Sequence, residues 1–160
     1  MSKMIDIDLY RCVCCHACAV ACKDLHNDVT EDRMVLRRAY RMESAAGEIF
    51  CGSVGCMHCV DAPCMAECPM GAICRDEETG FVRVDAEACV GCGACTYVCP
   101  MHAPQIVDGK MVKCDGCAER VRHGQLPACV QTCPSGALKL REATEQDTAA
   151  NHAARLFPEL

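Results

Sequence analysis

The chain has 160 residues and a formal net charge of −6; 19 residues are cysteines, but there are only three Phe, three Tyr and no Trp. So few aromatic side chains predict a small hydrophobic core that needs disulfides or bound metal to stabilise it. The acidic balance argues against nucleic-acid binding, which needs a basic face, and no apolar run reaches the ~18 residues of a membrane span.

The first residues, MSKMIDIDL, lack the basic stretch and apolar run of a signal peptide. An odd number of cysteines also fits a disulfide framework poorly. We therefore expect a cytoplasmic protein whose cysteines bind metal. Export on the signal of a partner is an alternative that this segment does not test.

The chain is organised around the cysteine run from Cys89 to Pro100. Its cysteines at 89, 92, 95 and 99 are separated by two, two and three residues, and proline follows the last. This spacing is typical of bacterial ferredoxins, in which three thiolates of one loop bind a [4Fe–4S] cluster and the fourth binds the neighbouring cluster. The run therefore predicts a partner run.

Three further runs have related spacing. They are Cys12, Cys15, Cys18 and Cys22; Cys56, Cys59, Cys64 and Cys68; and Cys114, Cys117, Cys129 and Cys133. Four such runs, three of them followed by proline, predict four [4Fe–4S] clusters. Cys14, Cys51 and Cys74 are left over, and we interpret them as small buried hydrophobic residues.

Short elements are predicted between and beside the runs. In chain order they are a strand over 5–9, a helix through Asp24 and Leu25, a strand over 35–40, a turn at 44–47, a strand over 81–84, a hairpin turn at Asp108 and Gly109, and a helix over 142–156 that Pro158 ends. Glycines beside the ligands, such as Gly91, Gly93 and Gly116, are expected to let backbone N–H groups approach the sulfurs.

The spacing between runs favours a nested pairing, because the second and third runs are close neighbours. The quartets are then Cys12, Cys15, Cys18 and Cys133 (quartet 1); Cys22, Cys114, Cys117 and Cys129 (quartet 2); Cys56, Cys59, Cys64 and Cys99 (quartet 3); and Cys68, Cys89, Cys92 and Cys95 (quartet 4). The predicted fold is α+β, with two bacterial-ferredoxin-like modules, one inside the other. The outer module is 1–50 plus 104–140, the inner module is 51–103, and 141–160 is a C-terminal helical tail.

The quartets and the segments 56–73, 113–117 and 127–138 resemble the four-cluster iron–sulfur subunits of molybdopterin and tungstopterin oxidoreductases. This group includes small subunits of dimethyl-sulfoxide-reductase-type enzymes, formate dehydrogenases and tungsten aldehyde oxidoreductases. The resemblance covers roughly 10–140 and implies the nested assignment, with four clusters in a line. It also implies an electron-transfer subunit that is not catalytic alone and that binds a large catalytic subunit containing tungstopterin or molybdopterin. A flavin- or NAD-containing protein or a ferredoxin would be the external partner.

Other interpretations remain open on the sequence alone. A free-standing polyferredoxin would carry the same quartets, and clusters near both ends would allow electron transfer between stacked copies. A structural zinc protein would also use paired cysteines, but it does not need these runs. Independent catalysis has no support, because no nucleotide-binding loop and no CxxxCxxC triplet is found.

Several basic residues and one histidine have two readings. Arg37, Arg38 and Arg41 form either a docking patch or a solvated face. Lys113 and Arg120 are either positive charges near a cluster or surface residues. His58 lies between two predicted ligands, and we expect it to pack beside them rather than to bind iron.

Overall fold

The computed structural model describes residues 2–26, 34–44 and 46–157. Within these ranges, eight strands pair into four antiparallel two-stranded sheets. The pairs are β1 (Lys3–Ile7) with β8 (Leu138–Glu142), β2 (Arg37–Glu43) with β3 (Ile49–Gly55), β4 (Ile73–Arg75) with β5 (Val82–Val84), and β6 (Gln105–Val107) with β7 (Lys110–Val112). The helices are α1 (Ala17–His26), α2 (Pro63–Ala66), α3 (Ala94–Val98), α4 (Ala118–Arg122), α5 (Ala128–Gln131) and α6 (Ala149–Leu156).

The third cysteine of every run lies on a helix. Cys18 is on α1, Cys64 on α2, Cys95 on α3 and Cys129 on α5, and all four are buried. The first two cysteines of each run precede the helix that carries the third. The loop and the helix therefore present their thiols to the same side of the backbone turn.

The hairpin predicted at Asp108 and Gly109 is confirmed between β6 and β7. Both residues have positive φ, at 49° and 75°. Two consecutive left-handed residues match the right-handed twist of the flanking strands, and this is why Asp-Gly suits a two-residue turn. The turn lies against the third run, since a Cβ atom on Gly91 would collide with the carbonyl of Gly109.

Two predicted strands are displaced along the chain. The first covers Lys3–Ile7 rather than 5–9 because Asp8 begins a turn: Asp8 Oδ1 accepts from the Tyr10 backbone N–H, and its carbonyl accepts from that of Arg11. The second covers Arg37–Glu43 rather than 35–40, and its register against β3 pairs Arg37 with Gly55. The predicted turn at 44–47 is confirmed by the Gly47 N–H, which donates to the Ser44 carbonyl.

The prediction of one helix over 142–156 is wrong in its first half. Glu142 ends β8, where it pairs with Lys3. A turn follows, in which the Asp147 carboxylate accepts from the Thr144 N–H at 2.7 Å. The helix α6 begins only after Thr148, whose side chain caps it by accepting from the Asn151 N–H. The predicted helix stop at Pro158 lies outside the described residues.

The α6 helix closes the fold. Leu156 is fully buried, and its carbonyl accepts from the Tyr40 hydroxyl at 2.8 Å. At the other end, Asp61 accepts from the Ala149 N–H at 2.9 Å. The helix thus ties β2 to the loop of the second cysteine run.

Methionines and cysteines fill the interior where aromatic residues are scarce. Met4, Met57, Met101 and Met111 are all at most 2% exposed. Flexible thioether side chains suit an interior whose shape is set by ligand loops. No helix in the described ranges is long and apolar enough to cross a bilayer.

Candidate iron–sulfur sites

Three separate cavities are lined by three of the predicted quartets. They contain quartets 1, 3 and 4, respectively. In each cavity, three thiols of the quartet come from one run and the fourth comes from another; Cys14 also lines the cavity of quartet 1. Those fourth thiols belong to Cys133, Cys99 and Cys68.

The thiols of quartet 2 are all buried. Cys22 interacts electrostatically with Cys129 and Cys117, and Cys114 interacts with Cys129. Cys22 comes from the first run and the other three come from the fourth. In all four groups, therefore, the fourth thiol comes from a different run than the other three.

Neighbouring quartets follow one another in the order 1, 2, 3, 4. Cys18 of quartet 1 and Cys22 of quartet 2 are one turn apart on the same face of α1. Cys114 of quartet 2 interacts electrostatically with Cys56 of quartet 3. Cys64 of quartet 3 interacts in the same way with Cys95 of quartet 4.

The thiols are poorly suited to remain as free thiolates. Burial, reinforced by neighbouring thiols, raises the pKa of Cys22 to about 12 and that of Cys64 to about 11. Burial also raises the pKa of Cys59. Four converging sulfurs in an apolar cavity can lose their protons only if positive charge is bound among them, and iron supplies that charge. The donor set and the cavities therefore fit [4Fe–4S] clusters.

Backbone N–H groups point at the ligand sulfurs. Cys89 Sγ accepts from Gly91 at 3.4 Å and from Met111 at 3.3 Å. Cys114 Sγ accepts from Gly116 at 3.4 Å. The expectation that these N–H groups approach sulfur is thus confirmed for Gly91 and Gly116. Gly93 has positive φ and lies immediately before α3.

Cys133 is a quartet cysteine whose surroundings favour the thiolate. Burial raises its pKa, but hydrogen bonds from backbone N–H groups, that of Leu138 foremost, and from Ser135 Oγ outweigh this effect. The net pKa of Cys133 lies below its ordinary value. These donors belong to the turn that leads from the Cys-Pro pair into β8.

Lys113 and His58 lie between quartets 2 and 3. The Lys113 ammonium is buried and lies 3.6 Å from Cys56 Sγ and 3.0 Å from the Cys114 carbonyl. Of the two readings of Lys113, the structure supports a charge at the ligands rather than a surface residue. His58 packs on Phe81 with ring centroids 4.6 Å apart.

A backbone hydrogen bond determines which ring nitrogen of His58 carries the proton. Its Nδ1 accepts from the Val82 N–H at 3.0 Å, and burial lowers its pKa well below the usual range. A neutral ring with Nδ1 as acceptor carries its proton on Nε2. Nε2 is buried without a hydrogen-bond partner among the described residues, and His58 lines the cavity of quartet 3.

Arg37, Arg38 and Arg41 are expected from the sequence to form either a docking patch or a solvated face, but only two of them lie at the surface. Arg38 and Arg41 are exposed, but Arg37 is buried at 2% exposure. Arg120 holds the long loop of the fourth run, because its Nε donates to the Leu126 carbonyl at 2.9 Å. Nothing in the sequence separates Arg37 from its neighbours.

The interpretation of the three surplus cysteines as buried hydrophobic residues is wrong. Cys74 is exposed, and Cys14 and Cys51 are half-buried. Cys14 Sγ lies 3.6 Å from His16 Nε2 and is hydrogen-bonded to the side chain of Cys51. Both thiols therefore lie beside quartet 1 at the protein surface.

One residue near a quartet was missed by the sequence analysis. His26 Nε2 is 3.7 Å from Cys117 Sγ and 3.7 Å from Asp115 Oδ1, so it could provide a nitrogen ligand at quartet 2. His26 and Cys117 are 91 positions apart in the sequence. Only the packing of α1 against the fourth run brings them together.

Comparisons with known proteins agree with this geometry. The family model for 4Fe-4S dicluster domains matches residues 48–143. The thiosulfate reductase electron transfer subunit of Salmonella typhi is 42% identical over 149 residues, covering 88% of this chain and 76% of the relative. The B subunit of the anaerobic dimethyl sulfoxide reductase of Escherichia coli (strain K12) is 41% identical over 147 residues, covering 82% and 69%.

A third relative belongs to a dehydrogenase. The iron-sulfur subunit of the nitrate-inducible formate dehydrogenase of Escherichia coli (strain K12) is 33% identical over 158 residues, covering 86% of this chain and 53% of the relative. The cysteine-lined cavities define an iron–sulfur protein. More particularly, the chain belongs to the 4Fe-4S dicluster domain family.

Proposed function

We propose that this chain is an electron-transfer subunit that carries four [4Fe–4S] clusters between a catalytic oxidoreductase subunit and an external redox partner. The observation that carries the proposal is the set of three cavities lined by Cys-Cys-Cys triplets and a fourth cysteine from another run. The ligands of clusters 1 to 4 are quartets 1 to 4. The outer module 1–50 plus 104–140 and the inner module 51–103 remain the proposed division of the chain.

The order of the quartets supports a linear relay. Helix α1 carries thiols of quartets 1 and 2, and electrostatic interactions between thiols link quartet 2 to 3 and quartet 3 to 4, whereas quartets 1 and 4 line separate cavities. When bound, each cluster supplies a one-electron couple. The protein contributes sulfur ligands, buried surroundings, N–H donors to sulfur and fixed positive charges, which together set the potentials.

Both terminal cavities have exposed apolar residues at their rims. Met70, Val90 and Ile106 line the cavity of quartet 4 and are exposed, as is Val13 in the cavity of quartet 1. Exposed apolar side chains around a site are typical of a surface that contacts another protein. The two ends therefore suit two partners, one at each end of the relay.

The catalytic partner is inferred from the relatives. Their names describe subunits of a thiosulfate reductase, a dimethyl sulfoxide reductase and a formate dehydrogenase. We infer a large catalytic subunit with molybdopterin or tungstopterin, as the resemblance implies. A flavin- or NAD-containing protein or a ferredoxin remains the candidate external partner, and the cytoplasmic location stays a prediction.

Anaerobic purification of the tagged chain from its own host tests the proposal. We expect a large subunit to copurify with molybdenum or tungsten and the clusters to be reduced when the substrate of that subunit is supplied. Isolation of the iron-loaded chain alone under several buffer conditions would instead support a free polyferredoxin. Zinc in place of iron would contradict both readings.

A further inference from the structure

Arg37 is a buried cation without a carboxylate partner in the described part of the chain. It opens β2, and its Nη1 donates to the Ser53 hydroxyl at 3.2 Å and to the Ser53 carbonyl at 3.4 Å. Its Nε and Nη2 are buried and have no hydrogen-bond partner among the described residues. An arginine that leaves N–H groups unsatisfied away from water is strongly disfavoured unless something else accepts from them.

The surroundings of Arg37 consist of cluster ligands. Although burial acts to lower its pKa, Cys129, Cys114, Cys18 and Cys22 outweigh this effect and raise the pKa above the ordinary value. Three of these cysteines belong to quartet 2 and one belongs to quartet 1. The guanidinium is therefore close enough to quartet 2 to interact electrostatically with three of its thiols.

The neighbouring strand leaves room for this side chain. Gly55 pairs with Arg37 in the β2–β3 register. A Cβ atom at position 55 would lie 3.2 Å from Arg37 Nη2 and 2.8 Å from the Leu36 carbonyl. Ser53, on the same face of β3, also connects the guanidinium to quartet 1, because its hydroxyl lies 3.3 Å from Cys18 Sγ.

We propose that Arg37 is the resident counter-charge of cluster 2, whose sulfurs accept from its Nε–H and Nη2–H, and that it raises the reduction potential of this cluster. The inference rests on the proposed function. Reduction adds one electron, delivered along the relay, to a cluster that is already negative with its four thiolates. A fixed cation in a buried site stabilises the added charge more than the oxidised state, so the reduced form gains more.

Arg37 should affect the reduction potentials of two neighbouring clusters in the relay. The two strongest electrostatic interactions of Arg37 are with Cys129 and Cys114 of quartet 2, and that with Cys18 of quartet 1 follows. Cluster 2 should therefore have a higher potential than it would have without the guanidinium, and cluster 1 should respond in the same direction by less. Arg37 is thus a tuning residue and not a ligand.

Redox titration of the anaerobically purified holoprotein, followed by electron paramagnetic resonance, tests this role. In Arg37→Gln we expect one midpoint potential to fall by at least 59 mV, equivalent to a tenfold weaker reduction of that cluster. Arg37→Lys keeps the positive charge but loses the planar guanidinium with its several N–H donors. The midpoint potential should therefore shift less in Arg37→Lys than in Arg37→Gln. Arg41→Gln is the matched control, because it removes an exposed charge from the same strand. Equal potentials in Arg37→Gln and Arg41→Gln would overturn the proposal.

A second measurement does not depend on a stable variant. When arginine alone is labelled with ¹⁵N, pulsed paramagnetic resonance of the reduced wild-type protein should show coupling between a cluster spin and arginine nitrogen. Arg37→Lys should abolish that coupling. Its absence from the wild-type protein would overturn the proposal even if Arg37→Gln lost iron. Iron analysis of the wild-type protein separately tests whether the four clusters are present, so the two failures can be distinguished.

Discussion

Replacing Gly91 with alanine should remove one cluster while leaving the others in place. Gly91 has a φ of +68°, and a residue with a Cβ atom in this region costs about 1–2 kcal/mol. In addition, the new Cβ would collide with the carbonyl of Gly109, which belongs to backbone and cannot swing aside. Forcing extra volume into a packed site typically costs about 1–3 kcal/mol more.

The strain acts directly on quartet 4. Gly91 donates to Cys89 Sγ, and Met111, just after the Asp108-Gly109 turn, donates to the same sulfur. Moving the β6–β7 hairpin away from the third run would break the Met111 bond, and distorting the backbone at position 91 would weaken the Gly91 bond. The summed cost of about 2–5 kcal/mol is a large share of the stability of a small domain.

Gly71→Ala is the matched control for this substitution. Gly71 has a φ of +59° and also follows a ligand of quartet 4, but nothing lies within 4 Å of its added Cβ. It should bear the backbone cost alone and keep all of its iron. Anaerobic iron and labile-sulfide analysis should show about four fewer irons per chain in Gly91→Ala. Full iron content in Gly91→Ala, with stability equal to that of Gly71→Ala, would refute the reasoning.

Three further predictions concern the ligands, a buried lysine and an ion pair. Cys92→Ser should cost the iron of one cluster, whereas Cys74→Ser, at an exposed cysteine outside the quartets, should keep the wild-type iron content; iron loss in Cys74→Ser would contradict the assignment. Lys113→Met removes the ammonium 3.6 Å from Cys56 Sγ and should lower one midpoint potential in a redox titration, with Lys139→Met, at an exposed lysine of β8, as the control; equal potentials in the two variants would show that the buried charge has no effect. Hydrogen bonds from Arg141 at 2.7 and 2.8 Å lower the pKa of Asp147. Asp147→Asn should therefore lower the free energy of unfolding by about 1–2 kcal/mol. Denaturant titration, followed by loss of the visible cluster absorption, measures this difference. The Asp147 contribution is present above the unfolded pKa of about 3.9 and is lost as pH falls through the lower folded value, so the difference should stay constant between about pH 5.5 and 8. A difference that changes within this window would contradict the assignment of the shift to Asp147.

The arrangement of the thiols within each run could be anticipated because it is local. Fixed spacing within a run, such as that from Cys89 to Cys99, places the thiols by the geometry of one loop and one short helix. The same local rule predicted the hairpin at Asp108 and Gly109. A sequence can report such features because no distant contact is needed to form them.

The features that the sequence could not show depend on long-range packing. Glu142 continues a strand rather than starting a helix because Lys3 offers a partner at the other end of the chain. Arg37 has the same local sequence character as Arg38, yet only Arg37 points inward, where Ser53 and the thiols of quartet 2 surround it. Helix propensity and charge pattern carry no information on either contact.

The central claim is that each chain binds four [4Fe–4S] clusters. Iron and acid-labile sulfide should be measured on the anaerobically purified wild-type protein and related to chain concentration by amino-acid analysis. The account predicts about sixteen irons and sixteen sulfides per chain. About eight of each would contradict the four-cluster assignment, and zinc without sulfide would contradict the iron–sulfur assignment as a whole.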